Sequence, residues 1–116
     1  MRRPALDRSG FQSRPLKERA NRVLIERDVV PIDAAPQGLS EQSLATIHEA
    51  VGRIVQARKN GKSVMLTFGA HAIKNGMGLV LGKLIEDGWV THLATNGAGV
   101  IHDWEIAYQG ATSEDV

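Results

Sequence analysis

From Ser40 onward, apolar residues recur at spacings of three and four, which is typical of a helix with one buried stripe. The stripe consists of Leu44, Ile47, Val51, Ile54 and Val55. Ser40 is suited to the N-cap and Gly61 to the position after the C-terminus. The pattern therefore predicts a helix from Glu41 to Lys59. Gly52 lies inside it and costs about 1 kcal/mol relative to alanine, so we expect a close contact with another helix or strand there.

Two short, nearly continuous apolar segments predict strands covered on both faces, as in parallel sheets. They run from Val64 to Phe68 and from Trp89 to Ala94. A second stripe at helical spacing lies between them and ends at Gly88; its members are Ile73, Met77, Val80, Leu81, Leu84 and Ile85. A third helix is predicted from Ile101 to Gln109, closed by Gly110. Because a helix joins two buried strands, the strands should be parallel, with a right-handed crossover.

These elements predict an α/β fold in which residues 65–109 form a β-α-β-α unit. Two strands alone make a poor parallel sheet, since sheets of this class have about five. We therefore expect the sheet to be incomplete in this chain, and to be completed by more chain or by another subunit. Near the end, Thr112 or Ser113 is expected to cap a further helix or to begin a loop.

The first 38 residues differ from the rest, because they hold all four prolines and only one short apolar run. This composition predicts an N-terminal arm or linker over residues 1–38, followed by the α/β domain over residues 39–116. No internal repeat or low-complexity tract is present, so a repeat architecture is excluded.

Charge is divided unevenly along the chain. Residues 1–27 hold 8 Lys and Arg against 3 Asp and Glu, whereas residues 28–116 hold 6 against 10. A basic arm can bind nucleic acid, but only Phe11 interrupts its basic residues as an aromatic stacking group. We therefore regard nucleic acid as a minor alternative to an arm that is solvated or packs on a partner.

Composition narrows the possible chemistry. With 116 residues the chain forms at most one ordinary domain, and its lack of cysteine excludes disulfides, thiolate metal sites and thiol nucleophiles. We find neither an apolar run of about 18 residues nor a signal-peptide pattern, so we expect no membrane association and a cytoplasmic location. The part of the chain with a regular apolar pattern is too short to bury its large aromatic side chains, so we expect a homo-oligomer. The aromatics in question are Trp89, Trp104 and Tyr108.

Both predicted strands end in small-residue turns, where backbone N–H groups and helix N-termini accept phosphates in open α/β sheets. The first turn covers residues 69–76 and the second covers residues 95–103. Gly97 and Gly99 match the first half of a dinucleotide fingerprint, although His102 stands where the third glycine would be. An ordinary strand-to-helix turn is the alternative. A metal site made of His71, His102 and Asp103 is not expected, because their spacing matches no ligand motif.

Residues 65–116 resemble the N-terminal half of the deoxyhypusine synthase family. One matching motif is the turn that ends in Ile73-Lys74-Asn75-Gly76. The most specific match is Thr95-Asn96-Gly97-Ala98-Gly99-Val100-Ile101-His102-Asp103, which is similar to the Thr-Thr-Gly-Ala-x-x-x-His-Asp turn of archaeal-type members. The strand and helix spacing between the two motifs also agrees.

The resemblance implies a Rossmann-like fold in a homotetramer. It also implies that NAD dehydrogenates spermidine and that a 4-aminobutyl group passes through an imine on an enzyme lysine. The positions implied to touch NAD are Ala70, His71, Ala72, Ile73, Lys74, Asn96, Gly97 and Ala98. Those implied to contribute to the polyamine pocket are Ile101, His102 and Asp103.

Several positions depart from the family. Many members have Ser-Asn where this chain has Ala70-His71, and Asn96 replaces a threonine. Some members carry carboxylates at positions 101 and 102, so cation recognition here would rest on Asp103 or Glu105. The family's catalytic lysine lies in the C-terminal half, and no lysine of this chain has a matching context.

Two hypotheses follow. The first is an NAD-dependent aminobutyl transferase acting on spermidine when whole, of which this chain supplies part of the NAD site. Its amine acceptor is either a protein lysine, as in deoxyhypusine synthesis, or a small amine, which would give homospermidine. The second is a catalytically silent nucleotide-binding or assembly module of the same fold.

Overall fold

The computed structural model describes Asp7 and residues 9–115, so the first part of the predicted arm lies outside the described residues. A single 3-10 turn at Leu16–Glu18 precedes the regular elements. In chain order these are β1 (Asn21–Leu24), α1 (Ile25–Asp28), α2 (Glu41–Lys59), β2 (Met65–Phe68), α3 (Ala70–Lys74), α4 (Gly78–Glu86), β3 (His92–Thr95), α5 (Gly97–Gln109) and β4 (Ala111–Glu114). None of the helices in these residues is long and apolar enough to span a bilayer.

Strands β2 and β3 form a parallel pair, which confirms the prediction. Met65 lies opposite His92 and Phe68 lies opposite Thr95, so the two strands end level with each other. Helix α4 lies on the crossover between them, as expected for a β-α-β unit. The described fold is thus mixed α/β with a two-stranded parallel sheet.

Helix α2 has the bounds that the sequence predicts. The Ser40 hydroxyl accepts a hydrogen bond from the backbone N–H of Ser43 at 3.1 Å, which caps the N-terminus. Asn60 closes the other end, and Gly61 follows in the left-handed region at φ 65°. Local capping chemistry and apolar spacing therefore fix this helix.

The prediction of one continuous helix after β2 is wrong, because α3 and α4 are separate. The break is at Gly76, whose φ of 74° favours glycine. A Cβ at Gly76 would overlap the carbonyl of Asp28, and the backbone N–H of Val30 donates to the Gly76 carbonyl at 3.0 Å. The N-terminal segment thus packs closely against this turn. Apolar spacing cannot reveal such a break when the stripe continues in phase on both sides of it.

The predicted bounds of β3 and α5 are also wrong by several residues. Strand β3 begins at His92, since the N–H of Val90 instead donates to the carbonyl of Leu84 at the end of α4. Helix α5 begins at Gly97 rather than Ile101, because the side chain of Asn96 accepts from the Gly99 N–H at 3.0 Å and caps it there. The predicted glycine-rich turn is therefore the first turn of α5.

The N-terminal segment contributes a strand that the sequence pattern does not predict. β1 pairs antiparallel with β4, with Asn21 opposite Glu114 and Leu24 opposite Ala111. The expectation that Thr112 or Ser113 caps a helix or begins a loop is therefore wrong. Only a partner about 90 residues earlier in the chain makes this segment a strand, and local patterns carry no information about that partner.

Few side chains in the described residues are fully buried. The buried apolar residues are Ile73, Leu81, Val90 and Ala111. The radius of gyration is 19.0 Å, compared with about 13 Å for a compact domain of this length. Trp89, Trp104 and Tyr108 are exposed, the last two stacked with ring centroids 5.0 Å apart. Their covering by a second subunit stays a prediction.

Candidate functional site

The carboxyl ends of β2 and β3 meet at one edge, where two small-residue segments lie side by side. Gly69 precedes α3 and Asn96 precedes α5. The Asn96 amide nitrogen lies 3.8 Å from where a Cβ on Gly69 would be. The structure therefore brings the two predicted turns together, as parallel strands require.

The N-terminus of α5 supplies the best-defined anion-binding geometry at this edge. In the first helical turn, backbone N–H groups have no partner within the helix. Asn96 already occupies the N–H of Gly99, which leaves those of Gly97 and Ala98 as the donors for a ligand. Gly97 is exposed, and a Cβ there would meet nothing within 4 Å.

Gly99 has a different role from Gly97. It is buried, and a Cβ at this position would overlap the hydroxyl of Thr95. Packing of α5 against β3 therefore requires glycine at position 99. The absence of a side chain at Gly97 is not required by packing and is available for the close approach of a ligand.

The first predicted cofactor segment is helical rather than a loop. Ala70, His71, Ala72, Ile73 and Lys74 form α3. Ala70 and His71 stand at its beginning, at the shared edge, and His71 is exposed. Ile73 is buried, and Lys74 is the last residue of α3, farther along the chain from the edge.

A cavity of about 300 Å³ opens beside this edge, between α4, α5 and the ends of β2 and β3. Its lining is mostly apolar and includes Phe68, Ile73, Leu81, Leu93 and Val100. Asp103 is its one charged lining residue among those described. An apolar cavity with one carboxylate suits a cation that carries a short alkyl chain.

Most of these lining residues do not stand out as functional in the sequence, because apolar spacing assigns them to the core. Gly78 and Gly82 also line the cavity, on α4. Two glycines four residues apart on one face of a helix leave room beside it. That spacing is the sequence signal that could have indicated a cavity.

The predicted polyamine residues separate onto different surfaces. Asp103 reaches the cavity, whereas neither Ile101 nor His102 is among its lining residues. Ile101 is exposed. His102 points to β4, where its Nδ1 lies 2.6 Å from the hydroxyl of Thr112. Of the three, only Asp103 is in place to meet a cation in the cavity.

Glu105, the other carboxylate considered, is engaged with the N-terminal segment. Its Oε1 lies 2.7 Å from Nη1 of Arg19, and its Oε2 accepts a hydrogen bond from Thr112. The Arg19 guanidinium, more than any other group, holds the pKa of Glu105 below its usual value. Glu105 therefore stabilises the packing of the segment and is not free for a ligand.

Four side chains join the N-terminal segment to α5 and β4, and we call them the arm network. They are Arg19, His102, Glu105 and Thr112. Thr112 is fully buried, which excludes it as a nucleophile for an external substrate. In the part of the chain that the structure describes, no three His, Asp or Glu side chains are grouped to hold a metal ion.

The chain matches no protein-family model, no curated protein and no solved structure.

Proposed function

We propose that this chain supplies part of the NAD site of an NAD-dependent aminobutyl transferase that acts on spermidine, similar to deoxyhypusine synthase or homospermidine synthase. The observation that carries the proposal is the adjacency of two features. A helix N-terminus with free backbone donors stands at the carboxyl edge of β2 and β3, and an apolar cavity bearing Asp103 opens beside it. Oxidation of an amine by a dinucleotide requires these two kinds of site next to each other.

The edge fits a dinucleotide in its backbone chemistry. The N–H groups of Gly97 and Ala98 would hold the pyrophosphate, with the positive end of the α5 dipole behind them. Asn96 stands directly before these donors, Ala70 and His71 begin the neighbouring helix α3, and the open space at Gly97 admits a phosphate. NAD, when bound, would supply the hydride acceptor.

The cavity fits the substrate in charge and polarity. The carboxylate of Asp103 would bind one ammonium group of a polyamine, and the apolar walls would receive its methylene groups. No lysine lines this cavity among the described residues. We therefore assign to this chain the binding of amine and cofactor and not the group transfer. The acceptor remains either a protein lysine or a small amine, and the homotetramer remains part of the proposal.

Calorimetric titration of NAD into the protein tests the cofactor site. Gly97→Val should weaken NAD binding by about tenfold or more, because a branched side chain blocks the approach to the backbone donors. The fold should survive, since the position is open. Gly10→Val is the matched control: a Cβ there also meets nothing within 4 Å, and NAD affinity should not change. Absence of NAD binding, or equal affinities for both variants, would refute this function.

A catalytically silent assembly module is the second candidate, and the exposed apolar surface favours it. Titration of spermidine into the protein with and without NAD separates the two. Binding of both NAD and spermidine supports the transferase. A protein that binds NAD without spermidine, or binds neither, supports the silent module.

A further inference from the structure

Helix α2 carries an apolar stripe that the described chain leaves uncovered. Leu44, Ile47 and Val51 are 41%, 43% and 51% exposed. The helix is tied to the rest of the chain near its C-terminal end, where Nε of Arg58 donates to the Gly88 carbonyl at 2.6 Å. Its N-terminal half therefore presents aliphatic side chains without a partner among the described residues.

An apolar groove lies beside the other half of the same stripe. It has a volume of about 420 Å³ and runs between α2, β2 and the segment before β3. Its walls include Ile54, Val55, Met65, Leu66 and Trp89, and Met65 and Trp89 are exposed. One helix thus presents protruding aliphatic side chains at one end and an apolar groove at the other.

Gly52 does not belong to the uncovered stripe. It lies about 140° around the helix from Ile47, because successive residues are about 100° apart. A Cβ at this position would meet nothing within 4 Å in the described residues, so the close contact that the sequence predicts there is not made among them.

The charges on α2 are arranged to match an antiparallel copy of the same helix. Glu41 and Lys59 lie at opposite ends of α2, about five turns apart and on the same side. In an antiparallel pair related by a two-fold axis, residues on the same side and at equal distances from the centre face each other. Glu41 would then face Lys59 of the partner subunit.

We propose that α2 pairs antiparallel with α2 of a second copy of this chain, about a two-fold axis near Ala50 and Val51. Leu44 and Ile47 of each copy fill the groove of the other. A second copy fits better than an unrelated protein, because the protruding side chains and the opposite charges lie on α2, the groove lies beside it, and one symmetry operation satisfies all three.

Light scattering over a range of protein concentrations, without NAD, tests the interface. The wild-type chain should form a dimer or a multiple of one at about 100 µM, and Ile47→Glu should raise the dissociation constant by about tenfold or more. Leu79→Glu is the matched control, since Leu79 is 52% exposed on α4, away from the groove; its association should not change. A monomeric wild-type chain, or an Ile47→Glu variant that associates like wild type, would overturn the proposal.

Charge reversal provides a test that no folding defect can imitate. Glu41→Lys and Lys59→Glu each place like charges opposite each other in a homodimer, and each should weaken association by about threefold or more. In an equimolar mixture both contacts are again between opposite charges, so a heterodimer should form with near wild-type affinity. A mixture no tighter than the single variants would refute the antiparallel arrangement. Because no step uses NAD, these results stand apart from the test of the cofactor site.

Discussion

Thr112→Val is the most informative change in the arm network, because it removes one hydroxyl and almost no volume. Thr112 is fully buried; its hydroxyl donates to Glu105 and lies 2.6 Å from Nδ1 of His102. Valine keeps the shape of threonine but leaves both neighbours without that partner.

The size of the effect follows from the two contacts. A hydrogen bond to a charged group contributes about 1.5–3 kcal/mol, and one between neutral groups about 0.5–1.5 kcal/mol. Glu105 keeps its ion pair with Arg19, which offsets part of the loss. We therefore expect Thr112→Val to lower the free energy of unfolding by about 2–3 kcal/mol.

Urea denaturation followed by circular dichroism measures this quantity. With a slope of about 2 kcal/mol per molar urea, the midpoint should fall by about 1 M. Thr112→Ser is the matched control, because it keeps the hydroxyl and deletes one buried methyl group, at a cost of about 1 kcal/mol. A valine variant as stable as the serine variant, or more stable, would show that the hydroxyl contacts do not hold the N-terminal segment in place.

Three further predictions concern neighbouring features. Gly76→Ala should cost more than about 2 kcal/mol in urea denaturation, because φ is positive there and a Cβ overlaps the Asp28 carbonyl. The pKa of Glu105 is lowered in the fold by Arg19. The contribution of Glu105 to stability is therefore present at neutral pH and is lost as pH falls through that lowered pKa. Glu105→Gln should flatten the dependence of the urea midpoint on pH between about 7 and 3. Asp103→Asn should weaken spermidine binding by about tenfold in calorimetry while leaving NAD affinity within about twofold; equal spermidine affinity would refute the cavity as the amine site.

Local chemistry explains why some elements could be predicted from the sequence. The bounds of α2 follow from Ser40, Gly61 and an uninterrupted apolar spacing, all of which lie within the helix or next to it. The parallel pairing of β2 and β3 follows from the helix between them, since handedness and compactness leave one favourable connection. In both cases the deciding interactions join residues that are near in sequence.

The elements that could not be predicted depend on distant partners. β4 is a strand because β1 pairs with it, and the break at Gly76 accommodates the backbone of Asp28 and Val29. The polar residues of β1 and β4 give no apolar alternation from which to infer a strand. Their pairing is satisfied only when the N-terminal segment folds back over the end of the chain.

The candidate site was predictable in part, for the same reason. The sequence places the two small-residue segments after neighbouring parallel strands, and the structure brings them together at Gly69 and Asn96. It cannot show which side of α5 faces the cavity, because that depends on β4 and the N-terminal segment. His102 therefore reads as a site residue in the sequence but contacts Thr112 in the fold.

The orientation of α5 links the N-terminal segment to the site. Successive residues of a helix point about 100° apart, so the contact between His102 and Thr112 turns Asp103 toward another side, where it lines the cavity. Glu105 returns toward the His102 side and is held by Arg19. The basic segment thus engages one of the two carboxylates, and the other lines the cavity. The N-terminal segment, which the sequence predicts as an arm, therefore helps to determine which carboxylate of α5 lines the cavity.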